Sequence, residues 1–119
     1  MPKKSRAANI VEYDEGRFWF HHKDGVVTLG LTVTAIDEIG SIDSVSLPAD
    51  GDDFDKSDIV CEVEGEEGKV ALSAPAAGFV TEVNTSVESD TAILAEDPID
   101  EGWLVKLEIQ DETDLKEFL

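Results

Sequence analysis

Val11, Tyr13, Phe18, Phe20, Val27, Leu29 and Leu31 recur at a spacing of two within short runs, parted by the turn signal Lys23-Asp24-Gly25. A period of two places alternate side chains on opposite faces of an extended chain, so one face of each run can enter a core while the other meets water. On a helix the same residues would scatter around the axis. Apolar runs on either side of an Asp-Gly pair predict a β-hairpin, and the chain is therefore committed to sheet from its first ordered residues.

The period changes only briefly. In Thr32–Ser41, Thr34 can cap a helix and Asp37 follows three residues later; Ala35, Ile36 and Ile39 share a face, and Gly40 suits a left-handed stop. Ile42, Val45 and Leu47 resume an extended pattern that Pro48 ends, and residues 49–58 read as a solvated loop. Strand signals return at Ile59–Glu64 and Val70–Ala74, parted by Gly65-Glu66-Glu67-Gly68, whose two glycines permit positive φ in a tight connection. Further extended runs at Gly78–Val83 and Trp103–Ile109 bracket Val87–Pro98, and Asp111 leads a capped final helix. Short, evenly spaced strands with few short helices predict a mainly β fold, a barrel or sandwich closed so that few edges stay exposed.

A chain of 119 residues with 41% hydrophobic content suits one modest core, expected over residues 10–119. Residues 1–9, with Lys3, Lys4 and Arg6 among small residues, are expected to form a flexible basic tail. No run of eighteen apolar residues and no apolar segment behind the N-terminal cations supports a membrane span or a signal peptide, so a soluble, cytoplasmic protein is expected.

The formal charge of -19, from 28 acidic and 9 basic residues, makes phosphate backbones and anionic lipids repulsive, so neither nucleic acid nor membrane is expected as a partner. A calcium loop starting at Asp50 fails where Phe54 and Asp55 stand in place of an oxygen ligand and a glycine, so no metal is expected. Cys61 has no second thiol to pair with, and its apolar flanks make it a buried filler. His21 and His22, adjacent on a strand, point to opposite faces and read as surface residues. Phosphate-loop, nucleophile-elbow and paired-cysteine patterns are lacking, and with acids so abundant any proposed carboxylate pair has no specificity, so no enzyme is expected.

Several short groups occur in an order that is itself informative: Phe18-Trp19, Gly30-Leu31-Thr32, Ile39-Gly40, Leu47-Pro48, Ala74-Pro75 with Gly78, Glu82-Val83-Asn84, and Pro98 with Gly102-Trp103. In that order and nearly gapless spacing the chain resembles the H protein of the glycine cleavage system, a relative of lipoyl and biotinyl domains, over about residues 11–119. The resemblance implies a barrel-sandwich hybrid and a lipoyl arm amide-linked to a lysine at a hairpin tip. It also implies a non-catalytic carrier that serves a decarboxylase, an aminomethyltransferase and a dihydrolipoyl dehydrogenase. In such relatives the modified lysine stands eight residues before the proline of an Ala-Pro or Ser-Pro pair. Counted back from Pro75, or forward from Leu47-Pro48, that position is Glu67.

The nearest amine is Lys69. A hairpin displaced by two residues would preserve strand parity and make Lys69 the attachment site, roughly 6–7 Å along the strand from the usual place. Arg17, Ile99 and Ala95 stand where the family commonly has histidine, an aromatic residue and asparagine, and Trp103 is expected to seal the core. Three functions are expected from these residues. The first is an unlipoylated, monomeric docking paralogue for glycine-cleavage components or lipoate-attaching enzymes, with no cofactor. The second is a true carrier with lipoate on Lys69. The third is an acidic binding module unrelated to lipoate.

Overall fold

The computed structural model describes residues 10–118, so the expected basic tail lies outside the described residues. Two antiparallel sheets share one apolar core. The six-stranded sheet contains β1 (Val11–Tyr13), β2 (Phe18–Lys23), β3 (Val26–Leu31), β9 (Val105–Ile109), β8 (Gly78–Val83) and β5 (Asp53–Phe54), in that spatial order. The smaller sheet is β4 (Ile42–Ser46), β6 (Ile59–Gly65) and β7 (Gly68–Ser73), with β6 central. Helices α1 (Val33–Ile39), α2 (Ser86–Ser89) and α3 (Ala92–Glu96) and a C-terminal 3-10 helix (Glu112–Phe118) fill the connections. No helix among the described residues is long and apolar enough to cross a membrane.

The register explains the alternation. Phe18 pairs with Leu31 and Phe20 with Leu29, placing the aromatic and aliphatic row on one face of the β2–β3 hairpin. That row meets Val63, Val70 and Leu72 of the smaller sheet and Ala35 and Ile39 of α1 in the core. Lys23 pairs with Val26 across a two-residue turn in which Asp24 and Gly25 have φ of 52° and 78°. Positive φ at both central positions gives the turn whose twist matches the strands.

Three expectations are corrected. The sheets do not close into one ladder; they end at β1 and β5 and at β4 and β7, and the terminal strands β1 and β5 of the larger sheet are only three and two residues long. Short edge strands expose little unpaired backbone, so closure is not needed to manage the edges. Instead, Tyr13 Oη donates to Ser73 O (2.7 Å), bridging β1 and β7. The core tryptophan is Trp19, fully buried on the outer face of β2 against Gly30, where a Cβ would stand 2.6 Å from the indole. Its Nε1 donates to Pro98 O (3.1 Å), whereas Trp103 is only half-buried, with Lys106 Nζ 4.9 Å from its ring centroid.

The expected final helix is a 3-10 helix. Its Leu115 and Phe118, three residues apart, align at three residues per turn; Leu115 is buried in the core and Phe118 packs on Tyr13 and Phe20, with ring centroids 5.4 and 5.7 Å away. Asp111 leads it as expected, its carboxylate accepting from Thr113 N (2.9 Å) and Oγ1 (2.6 Å). Finally, α1 is capped by Thr32, whose Oγ1 accepts from Ala35 N (3.5 Å) and donates to Gly16 O, while Thr34 faces solvent. The β1–β2 turn thus selects which threonine caps.

Candidate functional site

The β6–β7 hairpin turns on Glu66 and Glu67, with Gly65 paired to Gly68 and Glu64 to Lys69. Neither Gly65 nor Gly68 has positive φ, which corrects the expected reason for the two glycines. Gly65 is required for close approach: a Cβ there would stand 2.3 Å from Ile39 O and 2.8 Å from Ser41 O. Nothing in the structure accounts for glycine at 68.

The tip rests on the end of α1. Gly40, at φ 73°, stops the helix by donating its N–H to Ile36 O, as its sequence position predicts. The turned backbone presents two carbonyls, and Glu67 N donates to Ile39 O (2.8 Å) while Glu66 N donates to Ser41 O (2.9 Å). The side chain of Glu67 lies over Gly40, its Cγ 3.2 Å from the point where a Cβ would stand. The backbone at the tip is therefore fixed from outside the hairpin, and both central side chains are carboxylates exposed to solvent.

Lys69 sits on β7, one pair back from Gly65–Gly68, and not in the turn. Its Nζ is 3.2 Å from Glu62 Oε2, and its side chain is 56% exposed. It lines a cleft of about 210 Å³ with Asp14, Arg17, Phe18, Glu38 and Val70. Across this cleft Arg17 Nε donates to Glu38 Oε2 (2.8 Å), a bond that also raises the guanidinium pKa. Arg17 Nη1 lies 3.5 Å from Glu15 Oε2, so one arginine ties the β1–β2 turn to α1. Local sequence carries no signal for a pair separated by 21 positions.

The remaining candidates lie away from the hairpin tip. Cys61 is buried, and desolvation, with a smaller contribution from the Glu62 charge, pushes its thiol up to about 12, so it is not nucleophilic near neutrality. His22 Nε2 stands 3.3 Å from Glu112 Oε1, out of line for a hydrogen bond, while His21 lies on the opposite face. In the 49–58 loop, Asp52 accepts from Ala49 N and Asp58 from Asp55 N (2.9 Å each). Among the described residues no three His, Cys, Asp or Glu side chains converge as a metal centre.

Residues 11–119 match the sequence model of the glycine cleavage H-protein family. The glycine cleavage system H protein of Thermotoga maritima is 32% identical over 108 residues, covering 91% of this chain and 87% of the relative. That of Listeria monocytogenes is 35% identical over 107 residues, covering 90% and 86%. The crystal structure of a glycine cleavage system H protein from Mycobacterium marinum superposes with a TM-score of 0.78 at 26% identity, covering 92% of this chain and 95% of that one. With two sheets around one core and the same neighbour in structure, the fold is the barrel-sandwich hybrid expected from the sequence. The chain belongs to the glycine cleavage H-protein family.

Proposed function

We propose that this chain acts as a non-catalytic docking member of a glycine-cleavage assembly, without a lipoyl group at the hairpin tip. The observation that carries this reading is the pair of carboxylates, Glu66 and Glu67, at the centre of the turn. An amide tether needs a nucleophilic amine at an exposed apex, and a carboxylate offers none. The tip residues therefore do not fit an amide-linked lipoyl group, and no carrier chemistry is assigned to them. What remains is the scaffold: a tip clamped to Ile39 and Ser41, flanked by an acidic strand and the Arg17–Glu38 bridge, and suited to recognition by a glycine decarboxylase, aminomethyltransferase, dihydrolipoyl dehydrogenase or lipoate-attaching enzyme.

Carriage on Lys69 is the second reading, favoured by the exposure of that side chain. Against it stand the ion pair with Glu62 and a position on the strand rather than at the apex. The two readings separate in a glycine–bicarbonate exchange assay with a glycine decarboxylase of this system and a lipoylated H protein. The docking reading expects no exchange from this chain alone, and inhibition of the lipoylated protein as this chain is added. Exchange supported by this chain after treatment with lipoate ligase, lost in Lys69→Ala, would replace docking by carriage.

A further inference from the structure

Away from the hairpin tip, the end of β4, the short strand β5 and the start of β6 enclose an open groove of about 410 Å³. Its apolar side is made by Leu47, Pro48, Phe54 and Ile59, and its charged side by Asp52 and Glu62. Ile59 is 49% exposed, one of two large hydrophobic residues so exposed among the described residues. β4 and β5 are each the last strand of a sheet, so the groove lies where both sheets have free edges. No cation lines it. The adjoining loop adds exposed Asp50, Asp53, Asp55 and Asp58, and its one lysine, Lys56, is turned away to the C-terminal helix, where Nζ donates to Asp114 O (3.0 Å) and pairs with Glu117 (2.7 Å).

From this we infer that the groove docks a short segment of a partner protein in which an apolar side chain is flanked by lysine or arginine. The apolar side chain would cover Ile59 and Phe54, and the flanking cations would meet Asp52 and the acids of the adjoining loop. Asp52 and Asp58 are held in place, since their carboxylates accept from the loop amides of Ala49 and Asp55, so this part of the negative rim is fixed before any partner arrives. Such a rim selects against acidic competitors as well as attracting basic ones, which suits a molecule of net charge -19. Glu67 and Lys69 do not line the groove, and the proposed contacts are to Asp52 and the loop acids rather than to Glu62, whose Oε2 is already 3.2 Å from Lys69 Nζ.

The test uses the full chain, labelled with ¹⁵N, titrated with three blocked peptides: Lys-Leu-Lys-Val-Lys-Arg, the same peptide with serine for leucine and valine, and Glu-Leu-Glu-Val-Glu-Glu. Only the first is expected to shift amides of Leu47, Phe54, Ile59 and Val60. Its affinity should fall about tenfold in Ile59→Ser, a change at an exposed side chain that the same spectra show to be folded, and severalfold between low and high salt. Equal shifts from the serine peptide, shifts at the hairpin tip instead of the groove, or none at millimolar peptide would overturn the proposal. So would a severalfold gain in peptide affinity on combining Lys3→Ala, Lys4→Ala and Arg6→Ala, because the chain's own basic segment would then be the occupant.

Discussion

The β2–β3 hairpin turns on Asp24 and Gly25, and the β6–β7 hairpin turns on Glu66 and Glu67; both loops are two residues long. The first takes its shape from within, through two left-handed residues. The second has no left-handed residue and is shaped from without, by the carbonyls of Ile39 and Ser41 and by the close approach of Gly65 to the end of α1. Unprimed turns match strand twist poorly, so an outside clamp supplies what the turn chemistry lacks. A turn held by its surroundings keeps its backbone whatever side chains stand on it. The tip can therefore carry two exposed carboxylates without losing its form.

The largest expected effect concerns the root of the clamped hairpin, where Cys61 and Tyr13 are buried and both groups have raised pKa values, chiefly by desolvation. A thiol with a folded pKa of about 12 against 9.0 contributes stability that is fully present below pH 9 and lost as pH rises toward 12. At about 1.4 kcal/mol per unit, the loss approaches about 4 kcal/mol. Urea midpoints measured from pH 8 to 11 should fall steeply for the native chain and less steeply for Cys61→Ala; parallel slopes would count against the burial argument.

Gly65→Ala comes next, because its Cβ would meet backbone rather than a movable side chain. A cost of roughly 2–3 kcal/mol is expected in chemical unfolding. Gly25→Ala, which has open space but φ of 78°, should cost about 1–2 kcal/mol. Reversal of that order would break the contrast between the two turns. Tyr13→Phe removes the bond to Ser73 O and should cost about 1 kcal/mol by the same measurement. Smallest is Glu67→Gln: its exposed carboxylate leaves the backbone clamp untouched, so stability should change by less than about 0.5 kcal/mol.

The same division between local and distant causes decides what could be read from the sequence. Asp24-Gly25, the Gly40 stop, the Asp111 cap and β8 over Gly78–Val83 depend on neighbours in the chain, and each was legible. The cap at Thr32, the burial of Trp19, the pairing of β5 with β8 and the short helices α2 and α3 depend on segments far along the chain, and no local pattern announced them. At the candidate site, the two strands and the short turn that carry Glu67 and Lys69 were legible. The bridge from Arg17 to Glu38 and the seat that Gly40 gives the Glu67 side chain became visible only when α1 was packed beside the hairpin.

The intact mass of the full chain after incubation with lipoate ligase, ATP and free lipoate, run beside Glu67→Lys, tests the tip most directly. The native chain is expected to keep its mass while Glu67→Lys gains one lipoyl group, because the clamped backbone would present the new amine at an exposed turn. A lipoyl gain by the native chain, abolished in Lys69→Ala, would contradict this and place the arm on β7.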